Sequence, residues 1–354
     1  MNKIINILEK GKFIPLDKFI HIALYNKKFG YYMKKNPFGK KGDFITAPLI
    51  SYLFSEMIAI WCVAYWKYLK KPKKIIIIEL GPGDGSLCKD LLQTFKKFKE
   101  FYSCLEIKLL EVSDKLKSIQ KLKIKNSKVK WIKSLNKINQ GPVLFIGNEF
   151  FDSLPIKQVY KKGNILFEKY IALSKSKERV KFLYKKVGKK LVKKVKDLNL
   201  FSSKGTIEYP LNTVKYLSII AKKIKKYNGG FLTFDYGYIK NQNRNTIQAV
   251  KNHKYSSPFI KPGNSDITSQ VNFELIYNFL KKNKLNVNKV VTQSEFLQKM
   301  GIKERANILS KNMTFKSKVN MFYTLKRLLD PDKMGSLFKV LFAQKKGKKF
   351  SLGF

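Results

Sequence analysis

Cysteine is nearly absent from this sequence: Cys62, Cys88 and Cys104 have no C-x-x-C spacing and no even pairing. That excludes a disulfide framework and a thiolate metal site, and the three read as reduced thiols in apolar or helical stretches. Histidine is scarcer still, at two residues. Neither Ser-His-Asp nor metal-ligand spacing occurs, so no metal is expected. Long hydrophobic runs are missing too. The longest, around Ile75–Ile78 and Met57–Ala64, fall far short of the ~20 residues of a membrane span. The start, Met1-Asn2-Lys3, leads into short apolar pieces broken by Glu9, Lys10 and Gly11. No secretory signal or arginine-bearing presequence is expected there, which points to the cytoplasm.

Acidic residues number 24 against 73 basic ones, a net charge of +49. Such a balance invites a nucleic-acid partner. Arginine argues against it, occurring only at Arg179, Arg244, Arg305 and Arg327. Nucleic-acid surfaces exploit arginine's bidentate fork. The lysines are spread over the whole chain and accompany an excess of Ile, Asn, Phe and Tyr, the pattern of A/T-rich codons. No nucleic acid is expected as a partner. Long-range attraction to an acidic partner should still be strong and salt-sensitive.

A chain of 354 residues exceeds one minimal domain. Residues 1–72 read as a helical region, with an amphipathic segment after Pro15 and a long helix over Ser51–Tyr68. The run Lys74–Leu80, rich in isoleucine, is the signature of a strand buried on both faces of a parallel sheet. Strands at Glu106–Val112, Val129–Ile132 and Val143–Gly147 alternate with helices. The fold class is α/β: a Rossmann-like, doubly wound sheet over 73–155 and 228–354. Strand-like pieces after Pro155 interrupt it, so 156–227 reads as an inserted antiparallel β/α lobe. Residues 239–271, polar and rich in Asn, Ser and Pro, read as a long functional loop or lid.

The informative turn is Glu79-Leu80-Gly81-Pro82-Gly83-Asp84-Gly85. A strand end meets a helix start there, the usual ligand crevice of open α/β sheets. Glycine lets the backbone turn tightly and approach a ligand closely. A dinucleotide enzyme would want G-x-G-x-x-G, but position 86 is serine. G-x-G-x-G preceded by an acid suits S-adenosylmethionine, which has no pyrophosphate and carries cationic sulfonium and ammonium groups; Glu79 and Asp84 are available to them. Glu111, ending the second strand, can accept two hydrogen bonds from ribose hydroxyls. Ser134 and Leu135, past the third strand, are placed to line the adenine.

After the fourth strand comes Asn148-Glu149-Phe150-Phe151-Asp152-Ser153-Leu154-Pro155. Its aromatic faces favour a cation, and its carboxylates can hold a guanidinium. Glu149, Asp152 and Asn148 are the candidate catalytic residues, with Phe150 and Phe151 against the substrate; Asp152 or Ser153 could instead cap the following segment. Asp43, Asp235, Tyr236, His253 and Asp266 complete the candidate substrate set. A turn carboxylate bonding its own backbone is the plainer reading for such acids.

These motifs together resemble the MidA family. The resemblance is carried by Gly42-Asp43-Phe44-Ile45-Thr46-Ala47-Pro48, the glycine turn and the 148–155 loop. It continues through Asp235-Tyr236-Gly237-Tyr238, Gly263-Asn264-Ser265-Asp266-Ile267-Thr268 with Val271 and Phe273, Thr292-Gln293 with Phe296-Leu297, and Met334-Gly335 followed by Phe338-Lys339. It is ordered and spans nearly the whole chain. It implies a class I S-adenosylmethionine-dependent methyltransferase related to a mitochondrial complex I assembly factor. That relative symmetrically dimethylates an arginine of a complex I subunit, so the resemblance implies a protein substrate, and the mitochondrial matrix if the chain is organellar. The family's usual acid after Ala-Pro is Leu49 here, and a Gln and a Gly beyond it are Tyr52 and Ser55. Two rival readings remain: a non-catalytic assembly scaffold with a residual cofactor pocket, and an RNA methyltransferase.

Overall fold

Six consecutive apolar-rich residues, Ile75–Leu80, are all buried and form the central strand β1. A computed structural model of the chain describes residues 8, 13–34, 36–39, 42–173, 180–200, 205–240, 242, 244–251, 254–259, 262–347 and 349–354. Around β1 lie β2 (Leu105–Leu110), β3 (Val129–Ile132), β4 (Val143–Asn148), β5 (Gly229–Tyr238), β6 (Leu285–Val287) and β7 (Phe338–Lys345). Their order across the sheet is 6-7-5-4-1-2-3. Strands β1 to β5 run parallel, and β7 is antiparallel to both β5 and β6. The chain steps one way from β1 to β3, then returns across β1 to β4. The crevice between β1 and β4 is therefore the topological switch point, where such sheets bind ligands.

Helices cover both faces. Helix α1 (Leu16–Tyr25) lies over the inserted lobe, whereas α2 (Tyr52–Tyr68), α3 (Ser86–Phe95) and the later Phe315–Leu329 helix share one core with the sheet. Helix α2 is buried on nearly every side, which is why its sequence lacks a polar stripe. Its Glu56 accepts two hydrogen bonds from Arg305, at 2.9 and 2.8 Å. Cys62 and Cys88 are buried in this core, and all three cysteines are free. The opposite face holds Leu211–Tyr227 and Phe273–Lys282. The first of these places Leu217, Ile220, Ala221 and Ile224 against the sheet.

The segment after Pro155 contributes four strands to a five-stranded antiparallel sheet. Lys157–Lys162 pairs with Ile165–Leu173 and with Thr206–Tyr209, and Val180–Lys186 flanks Ile165–Leu173. Ile14–Pro15 from the N-terminal region adds to its edge through Ile14↔Ile171. Residues 239–271 are not a structureless loop. Gln248–Lys251 pairs with both Lys254–Ser256 and Asp266–Thr268, and this small sheet packs Ala249 and Ile267 against α1. No helix among the described residues is long and apolar enough to cross a membrane.

Candidate functional site

The C-terminal ends of β1, β2 and β4 open into a cavity of about 810 Å³. Gly81, Gly83 and Gly85 take φ of +61°, +56° and +84°, a region that L side chains disfavour. A Cβ at Gly81 would come within 2.9 Å of the Phe150 ring, and one at Gly83 within 3.1 Å of Phe38. Two aromatic rings are thus packed flush against bare backbone at the cavity wall. Gly85 lies behind the turn, off the cavity, where it caps α3.

Glu79 is buried beneath this turn, and its Oε2 has no hydrogen-bond partner among the described residues. Burial, with Asp84, Asp90 and Glu111 nearby, pushes its carboxyl up to about 8. Asp84 is not available in the same way. It accepts hydrogen bonds from Ser86 N and Ser86 Oγ, both at 3.0 Å, and pairs closely with Lys123. Of the two acids flanking the turn, both of which line the cavity, Glu79 alone keeps an oxygen without a partner among the described residues, and that oxygen is buried.

Glu111 is held rigidly. Its Oε1 accepts from Ser113 N at 2.7 Å and its Oε2 from Gln120 Nε2 at 2.9 Å. Burial raises its pKa against these donors. Gln120 also donates to Gly83 O at 2.8 Å and accepts from Trp131 Nε1 at 2.8 Å. One fully buried amide therefore ties the glycine turn, the Glu111 carboxylate and β3 together. Nothing in the sequence pattern singles out Gln120; its place one turn from Ile124 on an otherwise lysine-rich helix is its only mark. Ser134 and Leu135 line the same end of the cavity.

The β4 end supplies the other wall. Glu149 has φ +53°, uncommon for a residue with a side chain. Its Oε1 accepts from Ala47 N at 3.4 Å and from Asn148 Nδ2 at 3.3 Å. Burial, then the neighbouring Asp235 charge, pushes it up to about 8. Burial likewise raises Asp152 and Asp235. Asn148 leaves its Oδ1 without a partner among the described residues. Asp266 reaches the same cavity and accepts from Tyr32 at 2.8 Å. Tyr25 stacks on Tyr32 with ring centroids 5.6 Å apart, and its hydroxyl donates to Ser153 O at 3.1 Å. Both tyrosines lie in α1 and the aromatic segment after it, which the sequence marks as aromatic without assigning a role.

Of the expected site residues, Glu79, Gly81, Pro82, Gly83, Glu111, Ser134, Leu135, Asn148, Glu149, Phe150, Asp152, Tyr236 and Asp266 line the cavity. Three expected substrate contacts do not. Asp235 turns back onto the chain: its carboxylate accepts from Phe150 N at 3.2 Å, Phe151 N at 2.9 Å and Tyr236 N at 2.9 Å. It fixes the 148–153 loop instead of meeting a ligand. Phe151 is core, edge-on to Phe231. Asp43 is buried and accepts from Tyr31 at 2.5 Å, bracing the N-terminal loop. His253 lies outside the described residues. No cluster of metal-ligating side chains occurs among the described residues.

A buried unpartnered carboxylate, a side-chain-free turn and a fixed acid at the next strand end together suit a ligand with a cationic end and a diol. A model of a family of S-adenosyl-L-methionine-dependent methyltransferases matches residues 57–291. The chain belongs to this family. It is 28% identical, over 95% of its length and 82% of the relative's, to the mitochondrial protein arginine methyltransferase NDUFAF7 homolog of Drosophila melanogaster. It is 32% identical to the Caenorhabditis elegans homolog over 78% and 70% of the two chains. Among solved structures, a COG1565 superfamily member from Burkholderia thailandensis, bound to S-adenosyl-homocysteine, superposes with a TM-score of 0.83. It covers 98% of this chain and 92% of its own at 21% identity, a likeness of fold. The chain is an S-adenosylmethionine-dependent methyltransferase of mixed α/β fold.

Proposed function

We propose that this methyltransferase modifies an arginine side chain of a protein, giving symmetric dimethylarginine. The observation that carries the reading is the set of carboxylates Glu149, Asp152 and Asp266 on the wall beside the glycine turn. The relatives' names, protein arginine methyltransferase, support it. The MidA resemblance further implies a subunit of respiratory complex I as the bearer of that arginine.

Bound S-adenosylmethionine supplies a methyl group on a cationic sulfur. The residues fit that cofactor: Glu79 Oε2 is an orphaned acceptor for its ammonium, and Glu111 presents a fixed carboxylate to its ribose. Gly81, Pro82 and Gly83 would present bare backbone to its amino-acid portion, and Ser134 and Leu135, which line the same cavity, would border its base. Phe150, packed against Gly81 and edge-on to Tyr216 at 5.1 Å, lines the cavity next to the glycine turn.

An arginine guanidinium stays protonated above pH 12. Glu149 and Asp152 orient it by charge-assisted hydrogen bonds, which places one nitrogen for attack and contributes through positioning. With no cation present, burial favours the protonated form of Glu149; entry of the guanidinium restores the anion. Glu149 Oε2, the oxygen not held by Ala47 N, then accepts the proton that the nitrogen loses. Asn148, whose amide donates to Glu149, keeps that carboxylate aimed.

The test is methyl transfer from labelled S-adenosylmethionine to complex I subunits, read by mass spectrometry at arginine. Glu149→Gln should bind the cofactor normally and lose about 100-fold or more in turnover. Full turnover in that variant, or label that nuclease removes, would overturn the assignment.

A further inference from the structure

The charged residues of the cavity are sorted by depth. Every carboxylate that lines it, Glu79, Asp84, Glu111, Glu149, Asp152 and Asp266, is buried or half-buried. Among the described residues, every basic side chain that lines it is exposed: His21, Lys27, Lys133 and Lys215. Lys133 is answered by Asp114 at 3.1 Å and stands beside Ser134, at the cofactor end. Lys27 and Lys215 have no acidic partner among the described residues. Both are near neighbours in the chain of a tyrosine that meets the 150–153 loop. Lys27 follows Tyr25, whose hydroxyl holds Ser153 O; Lys215 precedes Tyr216, whose ring meets Phe150. Tyr255, 80% exposed, lines the same mouth from the strand Lys254–Ser256.

A floor of acids under a rim of unanswered lysines selects a particular charge pattern. A cation with acidic neighbours meets opposite charge at both depths. A cation in a basic or glycine-arginine-rich segment meets repulsion at the rim. We infer that the mouth residues Lys27 and Lys215 read acidic side chains flanking the modified residue, so that the substrate is an arginine in a locally acidic segment. An extended chain advances about 3.3 Å per residue, so neighbours one to three positions away reach the rim. This inference rests on the arginine reading of the floor, and the test separates the two.

Four peptides carry either arginine or its neutral isostere citrulline, flanked by either glutamates or glutamines. Their affinities for the full chain are measured by fluorescence anisotropy at low and high salt. Glutamate flanks should tighten binding about tenfold in both the arginine and citrulline series, two screened ion pairs contributing about threefold each. That ratio should shrink toward one at high salt. Lys27→Glu with Lys215→Glu should invert it, so that glutamine flanks bind better. Because the whole chain is basic, a control of equal charge is needed: Lys189→Glu with Lys193→Glu, exposed on the lobe helix Lys189–Asp197, should leave the ratio unchanged. A flank ratio of one, or a ratio altered equally by the control, overturns the inference. Equal binding of arginine and citrulline overturns the floor reading instead, whatever the flank ratio.

Discussion

Replacing Glu149 by glutamine should stabilise the protein, and should do so more at high pH than at low. Glu149 is pushed from an ordinary 4.5 to about 8, chiefly by burial. An acid held above its ordinary value binds its proton more tightly in the folded chain than in the unfolded one. Folding is therefore favoured at low pH, and the margin declines as pH rises from 4.5 toward 8. By linkage, the ionisation penalty is about 2 kcal/mol near pH 6 and roughly double that near pH 8.5. Glutamine keeps the oxygen that accepts from Ala47 N and removes the titration. Glu79 titrates in both proteins and largely cancels in the difference, whereas Asp235, whose charge helps to raise Glu149, is relieved of that neighbour in the variant. The gap between variant and parent should widen by about 2 kcal/mol over that pH range, or about 3 °C in Tm for a chain of this length. Thermal unfolding of both proteins, followed by circular dichroism at the two pH values, measures it. A gap that stays constant, or that closes as pH rises, would show that Glu149 is ionised in the folded chain, and the cavity's charge would have to be redrawn.

Three further changes test the cofactor wall and the core. Gly81→Ala forces a side chain onto φ +61° and a Cβ to 2.9 Å from Phe150, so cofactor affinity by calorimetry should fall at least about 30-fold; unchanged affinity would mean the turn relaxes freely. Gln120→Leu leaves Gly83 O, Glu111 Oε2 and Trp131 Nε1 without their shared partner, and the dissociation constant for the cofactor should rise about tenfold while the far-ultraviolet spectrum is unaltered; equal affinity would assign Gln120 to packing alone. Arg305→Ala strips the buried Glu56 of its two-pronged partner and should lower stability to urea by about 3 kcal/mol with little effect on cofactor binding; a loss below about 0.5 kcal/mol would show that solvent reaches Glu56.

The parts of the fold legible in the sequence are those with one dominant cause. Four isoleucines in a row admit no half-exposed strand, and three glycines after them admit few turns, so β1 and its loop are plain. The small sheet within 239–271 is hidden because its strands are three or four residues long and polar on one side, too short for a period to register. The helix Phe315–Leu329 is hidden for the opposite reason. It buries Met321, Leu325 and Leu328 but leaves Phe315, Val319 and Tyr323 exposed, so apolar residues fall on two faces and blur the amphipathic pattern. At the site, the sequence places acids at strand ends but cannot say which way each carboxylate turns. Asp235 and Glu149 sit at equivalent ends of adjacent strands, paired through Phe234 O and Glu149 N at 2.9 Å. One curls back to hold three backbone N–H groups and the other opens to the cavity, a choice made by loop geometry that no composition rule encodes.

The placement of acids also separates function from compositional bias. A chain with three basic residues for each acidic one acquires lysines on every surface by default, so exposed lysines alone say little. Buried carboxylates are different, because each one costs stability unless a cation answers it. Glu106 and Glu56 are answered within the chain, by Lys74 and Lys108 and by Arg305. Glu79 and Glu149 line the cavity, held far above the ordinary carboxyl range, with lysines in abundance elsewhere and none among the described residues brought to that depth. A lysine at either wall would relieve the cost of burial and fill the place of a cationic ligand. Its absence from both walls is what two cationic ligands, one at each strand end, require.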